Sequence, residues 1–261
     1  ANIQPRAVDV LVDDRALDEM FPKQVNVTRG GIPWFTVAKF VAKVVIAVIR
    51  RFATQRDHGA YTTTVEEVLR AAYLAKVGEV IWRQMKQDTA DAFGKPDRAG
   101  EVVLQTWAGL LQSGLQPPRI TLIGHSTGAV YINHWIKRSA ELLPGLQYDV
   151  ILLAPACRCE DFADIIQLHG ASIANLRLFA MQDALEQQDR LVPIIYPRSL
   201  LYFVSGVVEG DADIPLLGMQ RYLGNQELFD AQQFPEVQAV RVYLDNDQQR
   251  CVWSIASAGP G

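Results

Sequence analysis

A five-residue turn between two regular segments constrains this chain more than any other feature. Residues 119–124 (RITLIG) are apolar enough for a buried strand, and residues 127–142 have a helical pattern that Pro144 ends. Between them stand residues 124–128 (GHSTG), which form a G-x-S-x-G pattern. The pattern alone is weak, but here a strand enters it and a helix leaves it. We therefore expect a sharp strand-to-helix turn with the serine at its apex.

Such a turn places specific demands on its residues. We expect strained backbone angles at Ser126, whose Oγ would stand exposed above the carboxyl end of the strand. Small residues at Gly124 and Gly128 would let the strand and helix backbones pass close to each other. The N-terminus of the following helix would point its free N–H groups at the same spot. The N–H of Thr127 is then a candidate donor to an oxyanion.

Strand-like segments recur after this turn and alternate with helical ones. Four further strands are predicted, at residues 149–154, 176–181, 200–204 and 237–244. Several of these segments are almost wholly apolar, which is typical of strands covered on both faces. The sequence therefore predicts an α/β fold, with a mostly parallel sheet and helices on both of its faces.

The part of the chain before this region has a different pattern. Residues 33–113 have few helix breakers and are predicted to be mostly helical. The predicted helices cover residues 33–53, residues 64–78, a stretch that continues to Gly94, and residues 98–113. The order Thr64-Val65-Glu66-Glu67 matches a capping box, so the second of these helices is expected to begin at Thr64. Residues 1–32 contain two weak strand candidates.

These features together resemble the α/β-hydrolase family over about residues 119–245, with residues 124–128 as the most specific element. The resemblance implies a serine esterase or lipase-like enzyme that forms an acyl-enzyme on Ser126. It also implies an acid after a later strand, which points to Asp183. Carboxylic ester, thioester or lipid-like acyl compounds are the implied substrates.

The resemblance also implies a domain organisation. Residues 1–32 would be a remnant of an N-terminal sheet, and residues 33–113 would be a helical cap inserted over the active site. Residues 114–261 would form the hydrolase-like core that contains the nucleophile turn.

Three other carboxylates compete with Asp183 for the role of acid. Asp161 follows the earlier strand, and Glu186 and Asp189 belong to the same loop as Asp183. Any of the four could accept the second N–H of an imidazole and stabilise the imidazolium. Asp183 ranks first because it comes directly after a strand end.

The histidine is where the sequence departs from the family, whose chain order is serine, acid, histidine. The four histidines are His58, His125, His134 and His169, and none follows Asp183. A serine hydroxyl needs a base to take its proton, because by itself it is a poor nucleophile near neutral pH.

Each of the four histidines has a simpler interpretation than that of a base. The side chain of His125 should diverge from that of Ser126 at a sharp turn, and His134 lies about two helical turns further on. His169 is expected to end a helix. His58 could reach the site only if the helical segment folds over the sheet. We therefore expect the base to lie in a segment after the last strand that is absent from this chain.

Because no histidine follows Asp183, the sequence also allows a second function, which is not enzymatic. A hydrolase-fold protein that has lost catalysis could act as a binding or interaction module, and the missing histidine favours this alternative. Acyl transfer to an acceptor other than water would use the same residues as hydrolysis, so the sequence does not separate the two.

The amino-acid composition limits the classes of partner that are expected. The chain has 25 Lys and Arg against 29 Asp and Glu, a net charge of −4. Nucleic acid is therefore not expected as a partner, because phosphate binding uses a basic surface. Three cysteines, without a visible leader segment, favour free thiols and a cytoplasmic location. No phosphate-loop pattern and no metal-ligand spacing occurs, so neither a cofactor nor a metal is predicted.

One feature of the first predicted helix, residues 33–53, is not explained by the resemblance to the hydrolase family. Lys39, Lys43 and Arg50 lie within roughly 40° of each other on a helix that is otherwise apolar. A buried helix with one cationic stripe in water is one interpretation. The alternative is a cap helix that lines an acyl pocket or contacts a membrane surface.

Overall fold

A four-stranded parallel sheet organises the second half of the molecule. The computed structural model describes residues 34–71, 74–192 and 195–254, and the side chains at 34–42 and 74–78 lie outside this description. The strands are β1 (Ile120–His125), β2 (Tyr148–Leu153), β3 (Ile173–Met181) and β4 (Cys251–Ser254). They lie in the order β1-β2-β3-β4 and all pairs are parallel, so their carboxyl ends share one edge. This confirms the predicted α/β class and the parallel sheet.

Helices make up most of the remaining described chain. They are α1 (Trp34–Ala53), α2 (Ala60–Ala71), α3 (Leu74–Asp91), α4 (Ala99–Gln112), α5 (Gly128–Leu142), α6 (Cys159–His169), α7 (Asp183–Glu186), α8 (Leu200–Phe203), α9 (Gln220–Gly224) and α10 (Pro235–Asp245). A π-helical turn, Val204–Val208, continues α8. Among the helices in the described ranges, none is long and apolar enough to cross a membrane.

The core forms where β2 and β3 meet the helices that follow β1 and β2. Leu152 and Leu178, from the two middle strands, are almost completely buried, as are Ile136 of α5 and Phe162 of α6. β2 is buried along most of its length, as expected for a strand covered on both faces. Cys157 and Cys159 lie in this core and Cys251 at its edge, all as free thiols.

Two of the predicted strands are wrong. Residues 237–244 belong to α10, where Val237, Val240 and Leu244 are buried at helical spacing behind Pro235 in the first turn. Residues 200–204 form α8 and the start of the π-helical turn, and the Ser199 side chain accepts a hydrogen bond from the Tyr202 N–H there. The fourth strand is instead the short segment β4, which we did not predict.

The predicted helical block is confirmed where it is described, with two boundaries corrected. Gly78, predicted to end the second helix, lies inside α3 (Leu74–Asp91). The second helix begins at Ala60 rather than at Thr64. The Thr64 hydroxyl donates to the Ala60 carbonyl within the helix, so no capping box forms there. The sheet remnant predicted for residues 1–32 lies outside the described residues.

Candidate active site

Ser126 stands directly after β1 with a left-handed backbone, at φ +52°. A non-glycine residue rarely adopts this conformation, which costs roughly 1–2 kcal/mol. The turn is held on both sides, because the Ser126 N–H donates to Leu153 O (3.0 Å) and its carbonyl accepts from the N–H groups of Ala129 and Ala156 (both 3.1 Å). The predicted strained strand-to-helix turn is therefore present, with a half-buried serine at its apex.

Gly124 is required for the close approach of β1 to α5. A Cβ added there would lie 2.7 Å from Ile132 Cδ1 and 2.8 Å from the carbonyl carbon of Gly128. The prediction that Gly128 is needed for the same reason is wrong, because a Cβ at Gly128 would meet nothing within 4 Å. One glycine, rather than two, thus fits the helix against the strand.

Thr127 lies immediately before α5 and has helical backbone angles (φ −61°, ψ −21°). Within the part of the chain that the structure describes, neither its N–H nor the Ser126 hydroxyl has a hydrogen-bond partner. The N-terminus of α5 adds a partial positive charge at this point. A serine hydroxyl, an unused N–H donor and a helix N-terminus therefore meet at the carboxyl edge of the sheet.

A second left-handed residue occupies the same position on the neighbouring strand. Ala154 follows β2 at φ +42°, and its N–H donates to Phe179 O of β3 at 2.7 Å. Residues 213–219 pack over this strand end so closely that a Cβ at Gly218 would lie 2.5 Å from Pro155 O. This buried loop, which sequence reasoning missed, covers the end of β2 next to Ser126.

Asp183 is the first residue of α7, just past the end of β3. Its Oδ1 accepts a hydrogen bond from the Tyr202 hydroxyl, and its Oδ2 accepts from Gln187 Nε2, both at 2.6 Å. Its N–H donates to the Gln220 side chain at 2.9 Å. Both carboxylate oxygens of the predicted acid thus have donors from within the chain.

The three competing carboxylates have different surroundings. Asp161 lies in the first turn of α6 and lines a groove with Lys86 and Arg158. Glu186 ends α7, is only 1% exposed, and its Oε2 has no hydrogen-bond partner. Burial raises the pKa of Glu186 to about 7, and the nearby carboxylates of Asp183 and Asp189 add to the shift, although a hydrogen bond from Ser199 opposes it. Asp189 is exposed.

His58 is brought to the Asp183 side of the molecule, but its ring is already engaged. Its Nδ1 lies 2.9 Å from Glu66 Oε1 and its Nε2 lies 2.8 Å from Asp213 Oδ1. Carboxylates only accept hydrogen bonds, so Nε2 donates to Asp213, whereas Nδ1 lies between the Glu66 carboxylate and Arg51 Nη2, which is 3.2 Å away. The side chain of Arg51 also lies against Glu66, at 2.6 Å. We call these four residues, Arg51, His58, Glu66 and Asp213, the His58 cluster.

The His58 cluster is almost completely closed to solvent. Burial by itself would raise the pKa of Asp213, but the hydrogen bond and charge of His58, together with Arg221 and Arg56, hold that pKa well below its usual value. The pKa of Glu66 is lowered in the same way, against its own burial, by His58 and Arg51. The carboxylates of Glu66 and Asp213 are thus kept ionised, and both ring nitrogens of His58 already have partners within the His58 cluster, so neither is free to accept a proton from Ser126.

Tyr202 connects the His58 cluster to the predicted acid. The edge of one ring faces the other, with the centroids of His58 and Tyr202 4.7 Å apart, and the Tyr202 hydroxyl donates to Asp183. The helical segment before the sheet therefore reaches the neighbourhood of Asp183 through Tyr202. No sequence signal marked Tyr202, Gln220 or Asp213, because their partners are far away along the chain.

The other three histidines stay apart from Asp183. His125 is exposed at the end of β1, and His169 ends α6 half-buried. His134 is half-buried on α5, where burial and the charge of Lys137 lower its pKa. Within the described ranges, none of the four histidines is hydrogen-bonded to Ser126 or Asp183.

The last strand ends beside Asp183. Met181 of β3 pairs with Ser254 of β4, and the N–H of Gln182 donates to Ser254 O at 3.3 Å. The chain thus leaves β4 next to the loop that contains Asp183. Four surface pockets of about 360 to 480 Å³ lie in the described part of the molecule, and Ser126 lines none of these four.

Comparison of the chain with protein-family models, with curated proteins and with solved structures finds no match.

Proposed function

We propose that this protein is a serine hydrolase that cleaves carboxylic esters, thioesters or lipid-like acyl compounds through an acyl-enzyme on Ser126. The observation that carries the proposal is the left-handed backbone of Ser126 at the strand-to-helix turn. A folded chain keeps a strained non-glycine residue when the surrounding structure holds it there, and such residues cluster at active sites. The unused N–H of Thr127 beside it supports the same conclusion.

The proposed reaction follows from this arrangement. Ser126 Oγ attacks the substrate carbonyl carbon while its proton passes to a base, and the oxyanion that forms accepts a hydrogen bond from the Thr127 N–H. The bond from that carbon to the leaving oxygen or sulfur then breaks, and the leaving group takes the proton. Water releases the acyl group by the reverse sequence of proton transfers.

Asp183 is proposed to orient the base. The support is that Ser254, the last residue of β4, lies beside Met181 and Gln182, directly before Asp183. A base that bonds to Asp183 would share its two oxygens with Gln187 and Tyr202, because each carboxylate oxygen can accept a second hydrogen bond.

The helices before the sheet are proposed to act as a cap on a hydrolase-like core. α2 and α3 pack on the π-helical turn Val204–Val208, and α3 and α4 pack on α5, which follows the nucleophile. The apolar sequence of α1 and the three cationic residues of its stripe, Lys39, Lys43 and Arg50, favour contact with an acyl chain or with a membrane surface. We therefore propose that the acyl groups of the substrates are apolar.

A hydrophobic fluorophosphonate probe tests the proposal on the full-length protein. We expect covalent labelling of Ser126 that is lost in Ser126→Ala and kept in Ser113→Ala. Ser113 is a suitable control because it is an exposed serine at the end of α4 that only bonds to a nearby carbonyl. A folded wild-type protein that stays unlabelled at Ser126 contradicts the proposal.

A binding module that has lost catalysis is the second candidate. Two observations favour it: both oxygens of Asp183 have donors within the chain, and both nitrogens of His58 are paired with carboxylates. The same labelling experiment separates the two candidates, because a module without a functional base would leave the Ser126 hydroxyl unreactive.

A further inference from the structure

A buried tyrosine hydroxyl holds one oxygen of the carboxylate that we propose as the acid. Tyr202 Oη donates to Asp183 Oδ1 at 2.6 Å, and only 1% of Tyr202 is exposed. Hydrogen bonds to carboxylates are among the stronger ones in proteins. Because the hydroxyl is enclosed, loss of its bond to the carboxylate could not readily be compensated by water.

The second donor to this carboxylate is placed differently. Asp183 Oδ2 accepts from Gln187 Nε2 at 2.6 Å, but Gln187 is an exposed residue one helical turn away. Water can take the place of an amide at such a position with little loss. Of the two described donors, Tyr202 is therefore the one that can fix the orientation of the carboxylate. The backbone is fixed separately, because the Asp183 N–H donates to the Gln220 side chain at 2.9 Å.

Tyr202 is itself held in place by its neighbours. Its N–H donates to the side chain of Ser199, the residue before α8, at 3.3 Å. Its ring meets that of His58 edge to face, with the centroids 4.7 Å apart. The π-helical turn that continues α8, Val204–Val208, is buried throughout, and turns of this kind are frequent at functional sites. The hydroxyl thus has a fixed position before any substrate binds, as a supporting group requires.

The Tyr202 hydroxyl keeps its proton in this position. Burial raises the pKa of Tyr202, and the charge of Asp183 and the hydrogen bond to it raise that pKa further. The charges of Arg221 and Arg198 oppose the shift without reversing it. Tyr202 is therefore a donor at neutral pH, and it is not the base that takes the proton of Ser126.

We propose that Tyr202 is a positioning residue that fixes the Asp183 carboxylate for its role in the hydrolase reaction. This inference rests on the proposed function. An acid of this kind acts by holding an imidazole in one orientation, so its own orientation has to be fixed. Because Tyr202 is buried, it acts on the substrate only through Asp183. Its loss should therefore reduce kcat and leave KM almost unchanged.

Hydrolysis of p-nitrophenyl butyrate by the full-length protein tests the proposal, with kcat and KM measured separately. Tyr202→Phe removes the hydroxyl and keeps the ring against His58. We expect kcat to fall about tenfold, as loss of a hydrogen bond to a carboxylate implies, while KM changes by less than about twofold. Gln187→Ala should lower kcat by only about twofold, because water replaces the exposed amide.

Tyr196→Phe is the matched control. Tyr196 is only 2% exposed, and its hydroxyl donates to another buried carboxylate, that of Glu66. Both variants lose a buried bond between a hydroxyl and a carboxylate, so both should lose stability in urea denaturation, whereas only Tyr202→Phe should lose kcat. Equal decreases of kcat in the two variants would overturn the proposal, since a general loss of stability would then explain both.

A double-mutant cycle shows whether Tyr202 acts through Asp183. In the Asp183→Asn background, Tyr202→Phe should have almost no further effect on kcat, because the carboxylate that it positions is already absent. Independent effects, whose fold-changes multiply, would overturn the proposal.

The same variants distinguish failure of this inference from failure of the proposed function. An unchanged kcat in Tyr202→Phe, when Ser126→Ala and Asp183→Asn are both impaired, would overturn the role of Tyr202 alone. Full activity in Ser126→Ala, or a folded wild type without activity, would contradict the proposed function and this inference with it.

Discussion

His58 Nε2 and Asp213 Oδ1 lie 2.8 Å apart in the interior, although 155 positions separate the two residues along the chain. This contact joins the helical segment before the sheet to the loop that covers the end of β2. Asp213 itself has a left-handed backbone at φ +59°, and Tyr222 and Arg221 also donate to its carboxylate. The helical segment is thus fastened to the candidate site by buried charges rather than by apolar packing alone.

Replacing His58 should destabilise the protein strongly. His58→Phe leaves Glu66 and Asp213 buried without one of their partners, and loss of one member of a buried ionic pair costs roughly 3–5 kcal/mol. Urea denaturation at neutral pH measures the change. His169→Phe, at the half-buried end of α6, is the control and should have a much smaller effect. Equal losses of unfolding free energy in the two variants would show that the His58 cluster stabilises the protein no more than an ordinary half-buried side chain does.

Acid should unfold the protein through the same cluster. The pKa values of Glu66 and Asp213 are lowered in the folded state, so the unfolded state binds more protons once the pH falls towards the ordinary carboxylate values. Their stabilising contribution is complete above about pH 5 and is lost progressively as the pH falls further. The free energy of unfolding, measured between neutral and acidic pH, should therefore decrease towards acid. A flat profile would contradict these shifts.

Glu186 should respond to pH with the opposite sign. Its pKa is raised to about 7 from 4.5, so the folded state keeps a proton that the unfolded state has lost between these values. Stability should therefore fall as the pH rises through this window. Glu186→Gln should stabilise the protein by about 2–3 kcal/mol at pH 8 and have little effect at pH 4.

Thermal unfolding of Glu186→Gln at several pH values gives the comparison. Glu227→Gln removes the same charge from an exposed loop position and should change stability little at any pH. If Glu186→Gln is neutral or destabilising at pH 8, then the side chain has a partner or solvent access that its buried position does not indicate.

Alanine substitutions at the two glycines of the turn, Gly124 and Gly128, should have very different effects on the free energy of unfolding. An alanine at 124 would place its Cβ 2.8 Å from the Gly128 backbone, which cannot move without shifting α5. Gly124→Ala should therefore cost about 1–3 kcal/mol, as overpacking does. Gly128→Ala has open space and begins a helix, so it should be neutral or slightly stabilising. Urea denaturation of both variants checks this, and similar losses would be evidence against the close strand–helix contact.

Much of the sheet could be predicted because its signals are local. β1, β2 and β3 are apolar runs with turn residues at their ends, and each was predicted to within a few residues. β4 has only four residues, which is too short for a periodic pattern to be recognised. At residues 237–244 the spacing of Val237, Val240 and Leu244 and the preceding Pro235 were a helical signal that we read as a strand.

The candidate site, too, could be predicted from the sequence only where its residues are close together along the chain. Gly124, Ser126 and Thr127 lie within four successive positions, so the strand that enters the turn and the helix that leaves it are enough to place all three. Asp183 could be ranked from its position after β3, but its two hydrogen-bond donors could not be foreseen. Tyr202 and Gln187 reach it from positions whose sequence context marks no role.

The amino-acid sequence by itself determined the strand-to-helix turn at Ser126, since the strand that enters it and the helix that leaves it are local patterns. Only the tertiary structure decided that His58 is enclosed between Glu66 and Asp213, and that the buried Tyr202 hydroxyl meets the Asp183 carboxylate. The physical reason is that charges act through space: which carboxylate neutralises which cation depends on distance and burial, and neither is written in the order of residues along the chain.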